Sequence, residues 1–207
     1  MVIAPGRCDL PSDPEVLISG DGAELVRWTL PEEATYFTPA VDSELVYDGY
    51  RDYLVALPVD VSWVPGTATG VIEPITCLDA GLFAWHNQRV DQRTTQTEFL
   101  ASVLRRDGRL TILLGAGSEM FPPKAVYGLV EVAEFQADGW EYVYAIHNHT
   151  LDDRSGTMRL GTPGLSEPDA ELSLSLAANR ALQEARVTNG FFTFRITGAE
   201  LLERREP

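Results

Sequence analysis

Residues 139–149 read GWEYVYAIHNH. An aromatic and β-branched run, Tyr142 to Ile146, carries the residue types favoured on a pleated surface and reads as a strand. It ends in two of the chain's three histidines, His147 and His149, with one asparagine between them. Successive side chains on a strand alternate faces, so His147 and His149 project to the same side if the strand runs through them. Two imidazoles so placed can both reach one metal ion.

Downstream, LSEPDAELSLSLAANRALQEA (Leu165–Ala185) reads as a helix. Ser166 is its N-cap, and Asp169 occupies the capping-box position. A carboxylate in the first helical turn also meets the positive end of the helix dipole. Asp169 is therefore available as a third ligand, returned toward the histidines by the glycine-containing loop TLDDRSGTMRLGTPGL. Asp152 and Asp153 in that loop are solvated charges or rival ligands.

Upstream, EFLASVLRRDGRLTILLGAG (Glu98–Gly117) is two apolar runs around Asp107-Gly108, a hairpin signal. PPKAVYGLVEVAEFQ, from Pro122, suits a helix opened by its proline pair. CLDAGLFAWHNQRVDQ, from Cys77, reads as a helix on the spacing of Leu78, Leu82 and Trp85. RVTNGFFTFRI (Arg186–Ile196) closes as a strand. Strands and helices in this order indicate a mixed α/β domain.

The first part of the chain is β-rich. EVLISGDGAELVRWTL (Glu15–Leu30) reads as a hairpin about its Gly-Asp-Gly turn, and YLVALPVDVSWV (Tyr53–Val64) as a strand with Pro58 at an edge or bend. The expected division is a β-rich region over 1–75 and the α/β domain over 76–207.

Composition narrows the function. A formal net charge of -15 disfavours binding to a phosphate backbone, so no nucleic-acid partner is expected. Cys8 and Cys77 lack CxxC spacing and do not suggest a disulfide scaffold, which fits a reducing cytoplasm. No apolar run suits a membrane span, and MVIAPGRCDLPSDPE shows no basic-then-apolar leader pattern.

His147-Asn-His149 followed by Ser166-Glu-Pro-Asp169 resembles the His-x-His…Ser-x-x-Asp signature of the JAMM (MPN-type, JAB-domain) zinc metalloproteases, in particular the RadC branch. The resemblance covers roughly residues 77–197. It implies a central β-sheet flanked by helices, with the N-terminal β-rich part as an extension. It implies Zn2+ held by His147, His149 and Asp169. Glu98, before an apolar strand, would be the proton-transferring base and not a ligand, with Glu119 as the fallback. Ser166 would stabilise the oxyanion. The implied activity is hydrolysis of a peptide or isopeptide bond, with a protein or peptide substrate and ubiquitin-like tails as the usual class. The alternatives are a non-catalytic MPN-like scaffold or a RadC-like DNA-associated protein. Two departures stand out: Thr150 replaces the family's proline, and the interval from His149 to Ser166 is longer than usual, which reads as a substrate-gripping loop. His86 reads as a surface or helix-face histidine, and Asn148 as pointing away from the metal.

Overall fold

A computed structural model describes residues 8, 10–18, 24–40, 70–89, 97–116, 128–149, 161 and 164–203, with backbone alone for 152–154 and 157–159. Ten strands are present: β1 (Glu15–Ile18), β2 (Glu24–Pro31), β3 (Val71–Pro74), β4 (Phe99–Arg106), β5 (Arg109–Ala116), β6 (Glu141–Asn148), β7 (Asp152–Arg154), β8 (Thr157–Arg159), β9 (Glu184–Thr188) and β10 (Phe192–Thr197). The helices are α1 (Cys77–Asn87), α2 (Leu129–Ala137), α3 (Glu167–Arg180) and α4 (Gly198–Glu203). Eight strands form one mixed sheet in the order β1-β2-β5-β4-β6-β9-β10-β3, and β7 and β8 pair separately. The fold is mixed α/β. Strands from the N-terminal part of the chain lie at both edges of this sheet.

The central hairpin follows from its turn. Asp107 and Gly108 both take positive φ, 49° and 69°, which lets a two-residue turn match the twist of β4 and β5. β6 then pairs antiparallel with β4 and parallel with β9. Parallel neighbours need a crossover connection, and α3 is that crossover. β4 alternates between two apolar layers, and a bulge in β6 opposite Val103 and Leu104 sends Tyr144 and Tyr142 to different layers. Phe99, Ala101, Val103, Tyr144 and Ile146 pack toward α1. Leu104, Tyr142 and Ala145 pack toward α2, α3 and α4, with Val132, Leu176 and Leu201.

Several elements differ from the sequence expectation. The last segment is not one strand: β9 and β10 are a hairpin turning at Asn189-Gly190. Asn189 Oδ1 accepts the N–H groups of Phe191 and Phe192 at 3.1 and 3.0 Å, so its side chain organises the turn. The α3 helix stops at Arg180, and Glu184 and Ala185, read as helical, belong to β9. The α2 helix opens on Gly128, with φ 76°, and not on the proline pair, which lies outside the described residues. The Tyr53–Val64 strand also lies outside them. Part of the loop after His149 is the short β7–β8 hairpin.

The cysteines also differ. Cys8 and Cys77 are bonded to each other, with Cα atoms 4.9 Å apart. Disulfides persist in oxidising surroundings, so cysteine usage no longer supports a reducing compartment. Among the described residues, no helix is long and apolar enough to cross a membrane.

A buried charge cluster ties α1 to the sheet. Asp79, fully buried, accepts from Tyr144 Oη at 2.9 Å and from Arg186 Nη1 at 3.0 Å. The Arg186 guanidinium lies 3.7 Å from the Tyr144 ring centroid and also reaches Glu184. Burial alone would lower the Arg186 pKa, but Asp79, Tyr144 and Glu184 hold it above its ordinary value. Burial and the Asp79 carboxylate push the Tyr144 phenol well up. Removing one member leaves the others buried and uncompensated, at a cost of about 3–5 kcal/mol. Asp79→Ala is therefore expected to lower the unfolding free energy by about that amount in a urea titration. A loss under about 1 kcal/mol would mean the cluster does not secure α1.

Candidate metal centre

The site lies where β6 ends and α3 begins. Because α3 returns antiparallel to β6, its N-terminus stands at the C-terminal end of that strand. Ser166 caps α3: its hydroxyl accepts from the Asp169 N–H at 3.4 Å, and its own N–H donates to Asp169 Oδ2 at 2.8 Å. This is the capping box expected from the sequence. It points the Asp169 carboxylate back toward the strand end.

The structure brings His147, His149 and Asp169 together. One donor atom from each lies within 4.8 Å of the other two, and no other such group occurs among the described residues. Both Nε2 atoms stand 3.3 Å from Asp169 Oδ2. That spacing is long for a charge-assisted hydrogen bond, which closes to about 2.7–2.9 Å. It matches the edge of a tetrahedral metal site: bonds of about 2.0–2.1 Å separate ligand atoms by roughly 3.3–3.4 Å. His147 Nε2 is buried and makes no hydrogen bond, although it lies as near to Asp169 as His149 does. With both imidazole nitrogens facing one carboxylate oxygen, the three side chains are arranged so that a cation could sit among them. The three side chains are 11, 22 and 12% exposed, so the group is shielded yet reachable on one side.

The electrostatics suit a ligand set. Burial raises the Asp169 pKa, but contacts from His147, His149 and Ser166 outweigh it and hold the carboxyl well below the usual carboxylate range. It is an anion at neutral pH, the state a metal ligand requires. The Ser166 hydroxyl lies 2.6 Å from Asp169 Oδ2 and fixes its orientation from outside the group.

Glu98 immediately precedes β4. Leu100 is the cross-strand partner of His147, and Glu98 lies two residues before Leu100. By strand alternation Glu98 shares the sheet face of both histidines. It is partly buried and does not belong to the three-ligand group. Glu119 and Thr150 lie outside the described residues, as do the side chains of Asp152 and Asp153.

Two residues matter in ways the sequence reading missed. Asn148 points to the opposite face from the histidines, as expected, but it has a definite task there. Its Oδ1 accepts the Phe99 N–H at 2.7 Å, and its Nδ2 donates to the Thr97 carbonyl at 3.3 Å. These bonds bracket Glu98 and hold the β4 and β6 ends together. His86 is not a surface histidine. It is 1% exposed, and its Nε2 lies 3.2 Å from the Thr97 carbonyl and 3.0 Å from Thr97 Oγ1. Burial lowers its pKa, so it is held as a neutral brace. The signal for His86 was its position in an apolar helix ending a few residues before Glu98. Nothing local signalled Asn148, whose partners lie about fifty positions away.

Asn148→Ala leaves the buried Phe99 N–H without its acceptor, a loss of about 1–3 kcal/mol. Urea unfolding of the variant is expected to show that loss; an unchanged midpoint would mean the Phe99 amide finds another acceptor.

No protein-family model, curated protein or solved structure matches the chain.

Proposed function

We propose that the chain is a zinc-dependent peptidase or isopeptidase of the JAMM (MPN-type, JAB-domain) kind. The observation that carries this reading is the His147–His149–Asp169 group, with ligand-atom spacings of 3.3 Å, built from a strand end and a capped helix start. Two imidazoles and one carboxylate are a common catalytic zinc set, which leaves a fourth position open. The sequence order His-x-His…Ser-x-x-Asp and a glutamate on the same face add to it.

The residues divide the work. His147, His149 and Asp169 would hold the ion. Bound zinc would polarise a scissile carbonyl and lower the pKa of a water toward about 7. Glu98 would serve as the base, holding the proton between a water and the leaving amine, the part a carboxylate can fill. The Asn148 clip restrains the backbone on both sides of Glu98 and so limits where its carboxylate swings. Ser166 donates to Asp169 here; stabilising an oxyanion requires its hydroxyl to rotate toward substrate. Its first role is thus to orient a ligand. The substrate class is a protein or peptide with an extended tail, ubiquitin-like tails included. The loop carrying the β7–β8 hairpin is the grip, adding backbone hydrogen bonds to such a tail.

The scaffold alternative is separated by metal content. Elemental analysis of protein purified without a histidine tag is expected to find about one zinc per chain, lost in His149→Ala and in Asp169→Asn. Absence of metal after zinc is supplied would move the chain to the non-catalytic reading. Loss in the histidine variant alone would remove Asp169 from the ligand set and turn attention to Asp152 and Asp153. Glu98→Gln is expected to keep its zinc and lose hydrolysis of a ubiquitin-like fusion by a factor of at least about 100. Full activity in that variant would assign the base elsewhere.

A further inference from the structure

The start of the described chain lies as an arm across α1. Cys8 is bonded to Cys77, the first residue of α1, across a sequence separation of 69. The arm touches the helix closely at Gly81, where a Cβ would stand 2.5 Å from the Cys8 carbonyl oxygen. Only glycine lets the backbone seat there. Farther along, the Pro11 carbonyl accepts Trp28 Nε1–H at 3.1 Å. Trp28 is 3% exposed, and its ring meets Trp85 of α1 edge-on at 5.0 Å.

Beside the disulfide, the arm is held by its seat at Gly81, by the Pro11 carbonyl bond and by Leu10 against the core. An open pocket of about 370 Å³ lies beside the arm and α1, lined by Leu10, Ser12, Ala84, Trp85 and Arg89 among others. Both cysteines are partly exposed residues.

We infer that the Cys8–Cys77 bond is a redox latch for this arm. A dithiol reductant delivers two electrons and two protons, breaks the S–S bond and leaves two thiols, becoming a disulfide itself. The released arm leaves α1 and uncovers Trp28 and Trp85. In an oxidising compartment the arm is closed; in a reducing one it is open. α1 also carries Asp79 and His86, which brace the strands behind the metal ligands. The latch therefore acts on the element supporting the site. The inference rests on the arm and not on the hydrolase reading, and its test needs neither metal nor substrate.

The test uses the full chain purified without reductant. Thiols are titrated in denaturant, and tryptophan emission and the thermal midpoint are recorded before and after dithiothreitol. The expected result is no free thiol at first and both cysteines titrating afterwards. Emission then shifts to the red, and the midpoint falls by about 10 °C, as loss of a long-loop cross-link implies. The C8S/C77S variant is expected to match the reduced protein; if it fails to fold, the reduced wild type still decides. Two overturning results are clear. One is free thiols already present without reductant. The other is a reduced protein, confirmed by titration, whose emission maximum stays where it was.

Discussion

The parallel pairing of β6 with β9 is the constraint on which the candidate site depends. Two neighbouring strands running the same way cannot be joined by a turn, so the chain must cross the sheet face between them. α3 makes that crossing. Its N-terminus is thereby delivered to the C-terminal end of β6, where the two histidines stand. Without the crossover, Asp169 and His149 would be separated by twenty residues of chain with no reason to meet. The remaining contacts between adjacent strands of the large sheet are antiparallel.

The bracing polar groups and the candidate metal group lie on opposite faces of the sheet. On the α1 side, Asn148, His86 and Asp79 hydrogen-bond to other protein groups. On the α3 side, His147 Nε2 is buried without a hydrogen bond. Buried polar groups are ordinarily satisfied, and this one stands with His149 and Asp169 in a group that could hold a metal ion. The ends of β4 and β6 are tied together by Asn148 on the opposite face. A ligand set held by packed elements needs little reorganisation on binding.

The elements legible in the sequence were those with a local physical cause. The Asp107-Gly108 turn, the β6 strand and the Ser166–Asp169 capping box each depend on neighbours within a few positions, and each appears where the sequence placed it. The Asn189-Gly190 turn carried an equally local signal, and reading through it merged β9 with β10. The end of α3 was less accessible, because Ala181 closes the helix in the left-handed region with φ 49°, which alanine does not advertise. The burial of His86 depended on Thr97 reaching it from another element.

The sequence by itself determined the donors: two imidazoles on one strand face and a carboxylate at a helix cap, each fixed by the period of its own element. Only the tertiary structure decided that they converge, because convergence comes from strand order and crossover direction, which no local pattern encodes. The same holds for Cys8 with Cys77, and for Asn148 with Thr97 and Phe99. Their partners are remote in sequence, and contact between remote residues is set by how the sheet is assembled.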